Sequence, residues 1–180
     1  MKFIKSISIV CLLFLSVFAS AQKTLNNEHH YKIYKEAYDL FYKEKYAAAQ
    51  QLFQQYLTLN GDYENNVNAK YYAGVCAMEL FNADAIALLT EVNDKFPDHP
   101  KAKLALFQLG RYFYRNKDNK RAIQYMERVD ALSLTPEEAD EYWFIKGYSY
   151  FKTDEFNSSK LSFQNIKEKK NKYYDAANYY

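Results

Sequence analysis

Residues 105–126 read ALFQLGRYFYRNKDNKRAIQYM. Leu106, Leu109, Gly110 and Phe113 recur three and four positions apart, and beyond a polar stretch Ala122 and Met126 do the same. That spacing predicts two helices joined by a turn. A glycine inside a helix costs about 1 kcal/mol relative to alanine, so Gly110 needs a local reason. Close approach of a second helix supplies one, because the missing Cβ leaves room for it.

The same feature returns along the chain. Gly74, Gly110 and Gly147 are separated by 36 and 37 residues, and Ala37 lies 37 residues before Gly74. A second series, Ala49, Ala85, Ala122 and Ser159, steps by 36, 37 and 37. Two small-residue series in phase predict helix pairs, one series on the first helix of each pair and the other on the second. Tyr46, Phe53, Phe113, Trp143, Tyr150, Phe156 and Phe163 are the large side chains that fill the remaining space. Helices are predicted at 29–44, 46–59, 66–81, 83–96, 100–116, 119–130, 136–152 and 155–168, with a ninth beginning near Tyr173. They group into hairpins at about 29–62, 66–98, 100–134 and 136–172, preceded by a linker at 22–28 and followed by the start of a fifth unit at 173–180. The boundaries carry their own signals. Thr135-Pro136-Glu137-Glu138 has the form of a capping box, and Asp98-His99-Pro100 opens the preceding unit in a similar way. Pro97 closes the helix before that.

Composition agrees with an all-α chain. Four glycines and three prolines among 180 residues, beside 19 tyrosines and 13 phenylalanines, exclude a collagen-like or linker-like chain and disfavour a turn-rich β fold. At the N-terminus, Lys2 and Lys5 precede an apolar run from Ile7 to Phe18, and Ala19-Ser20-Ala21 supplies small residues at the cleavage positions. This predicts an export signal over residues 1–21, cut between Ala21 and Gln22. The run is too short for a bilayer-spanning helix, which needs about 20 residues, so no transmembrane anchor is expected after cleavage. The expected location is the periplasm or cell envelope, with peripheral outer-membrane association as one setting. Removing the leader takes away two lysines and no acid, so 24 basic against 22 acidic residues become an even balance. Nucleic acid is not an expected partner, because its binding draws on a surplus of cations. Only Cys76 lies outside the leader, which leaves no intrachain disulfide.

With this phasing the chain resembles the tetratricopeptide repeat, a helix-turn-helix of about 34 residues with the pattern W-x2-L-G-x2-Y, then A-x3-F, then P. The fourth unit carries Trp143, Gly147, Tyr150, Phe156 and Phe163, with Lys146 in place of the leucine and Ser159 in place of the alanine. The third carries Leu109, Gly110, Phe113, Ala122 and Met126. The second has Tyr71, Gly74, Ala85, Leu89 and Pro97, with its inter-helix turn one residue short, and the first has Ala37, Leu40, Tyr46, Ala49 and Phe53. The resemblance implies a right-handed α-solenoid of antiparallel helix pairs over residues 29–180. Residues 79–85 and 107–112 also resemble the N-terminal part of large exported tetratricopeptide proteins of Bacteroidetes-type bacteria, which implies that the chain is one portion of a longer protein.

Catalytic and cofactor motifs are not legible. The glycines are too dispersed for a phosphate-cradling loop, and G-x-S-x-G does not occur. His29 and His30 are adjacent and point apart on a helix, and His99 falls in a turn, so no metal-ligating pair is expected. Glu137, Glu138, Asp140 and Glu141 suit the first turns of a helix better than acid–base chemistry. The expectation is therefore a non-enzymatic protein without a cofactor or metal.

The first helices carry a second stripe, three residues before, one after and four after the small position. It reads Tyr34, Tyr38 and Phe41; Tyr71, Val75 and Met78; Phe107, Arg111 and Tyr114; and Phe144, Tyr148 and Phe151. By analogy with tetratricopeptide proteins, this stripe is expected to line a concave, tyrosine-rich trough that takes an extended or helical protein segment, since Tyr and Arg combine apolar area with hydrogen bonding. The family's basic clamp for a peptide carboxylate is not found in the stripe, which holds one arginine and no lysine. The expected function is a scaffold or adaptor of the envelope. Two alternatives are a targeting arm of a longer enzyme and a carbohydrate-binding module using aromatic stacking.

Overall fold

A computed structural model describes residues 28–59, 61–166 and 172–180. The export signal, its cleavage site at Ala21 and Gln22, the linker up to residue 27 and the lysine-rich stretch 167–171 lie outside the described residues. Among the described residues nine α-helices follow one another: α1 (28–42), α2 (Tyr46–Thr58), α3 (Tyr63–Glu79), α4 (Ala85–Lys95), α5 (Pro100–Arg115), α6 (Asn119–Met126), α7 (Pro136–Lys152), α8 (Phe156–Phe163) and α9 (Tyr174–Tyr179). A short 3₁₀ turn, Ala131–Ser133, separates α6 from α7. There is no strand among the described residues.

The small-residue register sets the packing. A Cβ on Gly110 would lie 2.7 Å from Met126 Cε, and one on Gly147 would lie 2.7 Å from Cδ1 and Cε1 of Phe163. The large residue of the second helix thus sits directly over the glycine of the first. Gly74 meets Leu89 in the same way. In the first pair Ala37 and Phe53 hold the corresponding places, both fully buried. Ala49, Ala85, Ala122 and Ser159 are all buried as well, so both predicted series mark helix contacts.

A third series, in the backbone, has the same period. Glu44, Phe81, Lys117 and Asp154 all have positive φ, between 56° and 63°, at steps of 37, 36 and 37. Each ends a first helix. The amide of the next residue donates back to a carbonyl five residues earlier, as in Lys45 N–H to Leu40 O and Asp118 N–H to Phe113 O, both 2.9 Å. This Schellman closure satisfies the last carbonyls and reverses the chain tightly, at the cost of left-handed backbone in non-glycine residues. The second unit is one residue short immediately after this turn. Ala85 N–H reaches Asn82 O, three residues back, where Ala122 N–H reaches Asp118 O, four back.

Helix starts follow the predicted caps, with one shift. Thr135 and Glu138 form the reciprocal capping box, Glu138 N–H to Thr135 Oγ1 at 3.3 Å and Thr135 N–H to Glu138 Oε2 at 3.0 Å. His99 caps α5 by accepting from Lys101 N–H at its Nδ1, 3.1 Å away. That leaves Nε2 to carry the proton; it lies 3.1 Å from Glu64 Oε2 but outside hydrogen-bond geometry. α3 begins at Tyr63, three residues before the predicted start, because the Asp62 carboxylate accepts from Asn65 N–H at 2.9 Å. α6 and α8 stop short of their predicted ends. After α6, Asp130 takes up the amide of Leu132 in the 3₁₀ turn, and after α8, Ile166 turns inward to a buried site beside Ala177.

Successive helices pack from α2 through α8, and first helices also meet each other, α3 with α5 and α5 with α7. The second helices make no comparable contact among themselves. First helices drawn together and second helices spread apart curve the stack, with the first helices on the inner side.

Candidate functional site

The inner side holds a groove of about 400 Å³ built by four successive first helices. α1 supplies Phe41, α3 supplies Tyr71, Tyr72, Val75 and Glu79, α5 supplies Lys101, Leu104, Gln108 and Arg111, and α7 supplies Glu138. Tyr46 of α2 closes one end. A second hollow of about 510 Å³ opens between the C-terminal ends of α5 and α7, against Tyr114, Arg115, Lys117, Tyr148 and Lys152.

The predicted stripe divides by accessibility. Tyr34, Tyr38, Phe41, Arg111, Tyr114, Phe144, Tyr148 and Phe151 are half-buried and keep part of their surface open. Tyr71, Val75, Met78 and Phe107 are buried, with Met78 and Phe107 only 1% exposed. The correction has a packing reason. An inner first helix has another first helix on each side, and the residue three before its glycine is covered by both. The corresponding residues of α1 and α7, Tyr34 and Phe144, stay partly open, Phe144 with its ring stacked on Tyr173 at 4.7 Å. Met78 and Phe107 are therefore core residues, and Tyr71 contributes an edge and a hydroxyl to the groove wall.

Polar contacts fix the groove's floor. The Tyr71 hydroxyl accepts from Gln108 Nε2 at 3.3 Å, one repeat away, and burial pushes its ionisation well above the usual tyrosine range. Arg111 donates to Glu141 Oε1 at 2.8 Å and to Gln108 Oε1 at 2.9 Å. The arginine that the sequence puts forward as a partner contact is thus held by its own chain, its guanidinium lying 5.9 Å from the Phe107 ring. Arg115 and Glu79 pair across the units at 3.1 Å. Cys76 is buried, and desolvation pushes its thiol up to about 12, which leaves it without nucleophilic character.

Tyr72 and Lys101 line the groove but lie outside the stripe. Lys101 stands nine residues before Gly110, the place that Glu138 holds before Gly147, and Tyr72 and Gln108 both stand two before their glycines. Carrying the register to every position of the helix, not only to the aromatic ones, would have found all four. Lys101 Nζ donates to the Tyr72 hydroxyl at 3.1 Å and lies 4.9 and 4.7 Å from the ring centroids of Tyr71 and Tyr72.

Among the described residues no group of three or more His, Cys, Asp or Glu side chains is arranged to hold a metal ion. No helix among them is long and apolar enough to cross a membrane. The family model for the tetratricopeptide repeat matches residues 34–80 and 81–134, more than half of the chain. The chain belongs to the tetratricopeptide repeat family. Repeats of this family generally mediate protein–protein interaction, and as a family they are typically non-catalytic scaffolds. The match ends at residue 134, and the glycine contact at Gly147 and the left-handed turn at Asp154 carry the same unit geometry through α7 and α8. Comparison with curated proteins gave no match.

Proposed function

We propose that this tetratricopeptide repeat protein is a non-catalytic scaffold that seats a segment of a partner protein along the inner face of its first helices. One observation carries the reading: side chains from α1, α3, α5 and α7 line a single groove. A continuous trough across four units suits an extended or helical segment better than a compact small molecule, and its half-open tyrosines give contact area at low conformational cost. The proposed contact face comprises Phe41, Tyr71 and Arg111 of this groove, Tyr114 and Tyr148 of the second hollow, and the half-open Tyr34, Tyr38, Phe144 and Phe151 of the same stripe. Lys2, Lys5, the apolar run Ile7–Phe18 and Ala19-Ser20-Ala21 support export, so the setting is the periplasm or cell envelope.

The test uses half-open residues of the inner face, outside the fully buried core. Replacing Tyr38, Tyr114 and Tyr148 by alanine together should abolish partner capture from envelope extract while the helical circular dichroism signal stays at the unchanged protein's level. Capture retained by a folded triple variant rejects the inner face as the binding surface. Phe107→Ala is unsuitable here, because truncating that buried ring opens a cavity and costs about 3–5 kcal/mol of stability by itself.

A further inference from the structure

Lys101 is an unusual cation. It sits in the first turn of α5, where the helix dipole disfavours positive charge, and its side chain is half-buried in the groove over two tyrosine rings. No carboxylate lies within 4 Å of its Nζ among the described residues, although Lys70, Lys95, Arg111 and Arg115 all have one. Two carboxylates act on it from farther off, Glu138, held in a capping box, and Glu64, whose side chain is 67% exposed.

The hydroxyls beside it make the spot rich in donors. The Tyr72 oxygen accepts from Lys101, and the Tyr38 ring packs edge-on at 5.2 Å against both Tyr72 and Tyr42. An ammonium has three N–H groups, and Tyr72 uses one. What the place lacks is an acceptor with negative charge.

We propose that Lys101 receives an acidic side chain, Asp or Glu, from the protein segment bound in the groove, with the Tyr72 hydroxyl beside it. This rests on the groove reading given above and adds the chemistry of the partner. Charge complementarity selects the occupant: a carboxylate from outside completes the one half-buried cation of the groove that the chain itself leaves without an acid, among the described residues.

A random linear peptide library displayed on phage, panned on the full chain, tests the proposal. The same panning is run on Lys101→Gln and on a Tyr46→Ala/Leu104→Ala groove variant, two half-buried residues of the groove's lining. Peptides that bind the unchanged protein and fail on the groove variant should share an acid at one fixed place. Converting that acid to its amide should weaken binding by about 10- to 100-fold, the range of a hydrogen bond to a charged group. Lys101→Gln should lose the same factor and no longer tell acid from amide. Groove-dependent peptides without a fixed acid, or an acid preference that survives in Lys101→Gln, overturn the role of Lys101 and leave the groove reading standing. A panning that yields no groove-dependent peptide overturns the groove reading, and this proposal with it. The acid-to-amide comparison on the unchanged protein keeps the proposal falsifiable even if Lys101→Gln fails to fold.

Discussion

Gly147→Ala tests the register on which the solenoid is built. Helix propensity alone favours the change by about 1 kcal/mol. The added Cβ, however, would lie 2.7 Å from two carbons of the Phe163 ring and 3.0 Å from a third, where carbon atoms prefer about 3.5–4.0 Å. The ring cannot bend away as a methionine can. It is buried, with Phe144 and Tyr180 at centroid distances of 6.0 and 6.4 Å. α7 and α8 must therefore move apart, and overpacking of this kind costs about 1–3 kcal/mol. Against the propensity gain, the expected net effect is a loss of about 1 kcal/mol. Urea unfolding followed by circular dichroism measures it, and a thermodynamic cycle isolates the cause. In a Phe163→Ala background the obstacle is gone, so the same Gly147→Ala change should stabilise by about 1 kcal/mol. The sign reverses between the two backgrounds. An equal effect of Gly147→Ala in both would refute the contact as the reason for the glycine.

Two further expectations come from single sites. Ser159 stands where the other three units carry alanine, and its buried hydroxyl has no hydrogen-bond partner, so Ser159→Ala should raise stability by about 1 kcal/mol in the same urea assay. Glu91 binds Lys70 at 2.8 Å and Lys95 at 3.0 Å, and those bonds hold its carboxyl below the ordinary value of 4.5. Its folded-state ionisation is depressed, so its contribution is complete above pH 4.5 and is lost as the pH falls through the lower folded value. The stability gap between the unchanged protein and Glu91→Gln should be constant above pH 4.5 and close below it, as read from urea midpoints across that range.

Much of the fold was legible because close packing of helices leaves a trace in residue size. Gly74, Gly110 and Gly147 mark where a large side chain of the next helix comes down, and that requirement repeats at whatever period the unit has. The turns were less legible. Left-handed backbone at Glu44, Phe81, Lys117 and Asp154 is borne by residues with no preference for it, so only the period, not the residue type, could have revealed it. The candidate site was half legible. Tyr71, Val75 and Met78 of α3 and Phe107 of α5 are buried, whereas Arg111 and Tyr114 of α5 and the stripe residues of α1 and α7 stay partly open. Sequence position carries the register of a residue and not the number of its neighbours. Lys101 stands in the same register as Glu138 but outside the aromatic stripe, and its lack of a carboxylate at contact distance among the described residues is a property of side-chain pairing that spacing does not encode.

Site-specific photo-crosslinking compares the two sides of the solenoid directly. A benzophenone side chain is placed at Tyr114, half-open on the inner side, or at Leu161, exposed on α8 of the outer side, and irradiated in cells producing the full chain. Partner binding in the groove predicts a discrete crosslinked protein from position 114 and none from position 161. Crosslinking of the same protein from 161, with none from 114, would place recognition on the outer helices and contradict the inner groove as the binding face.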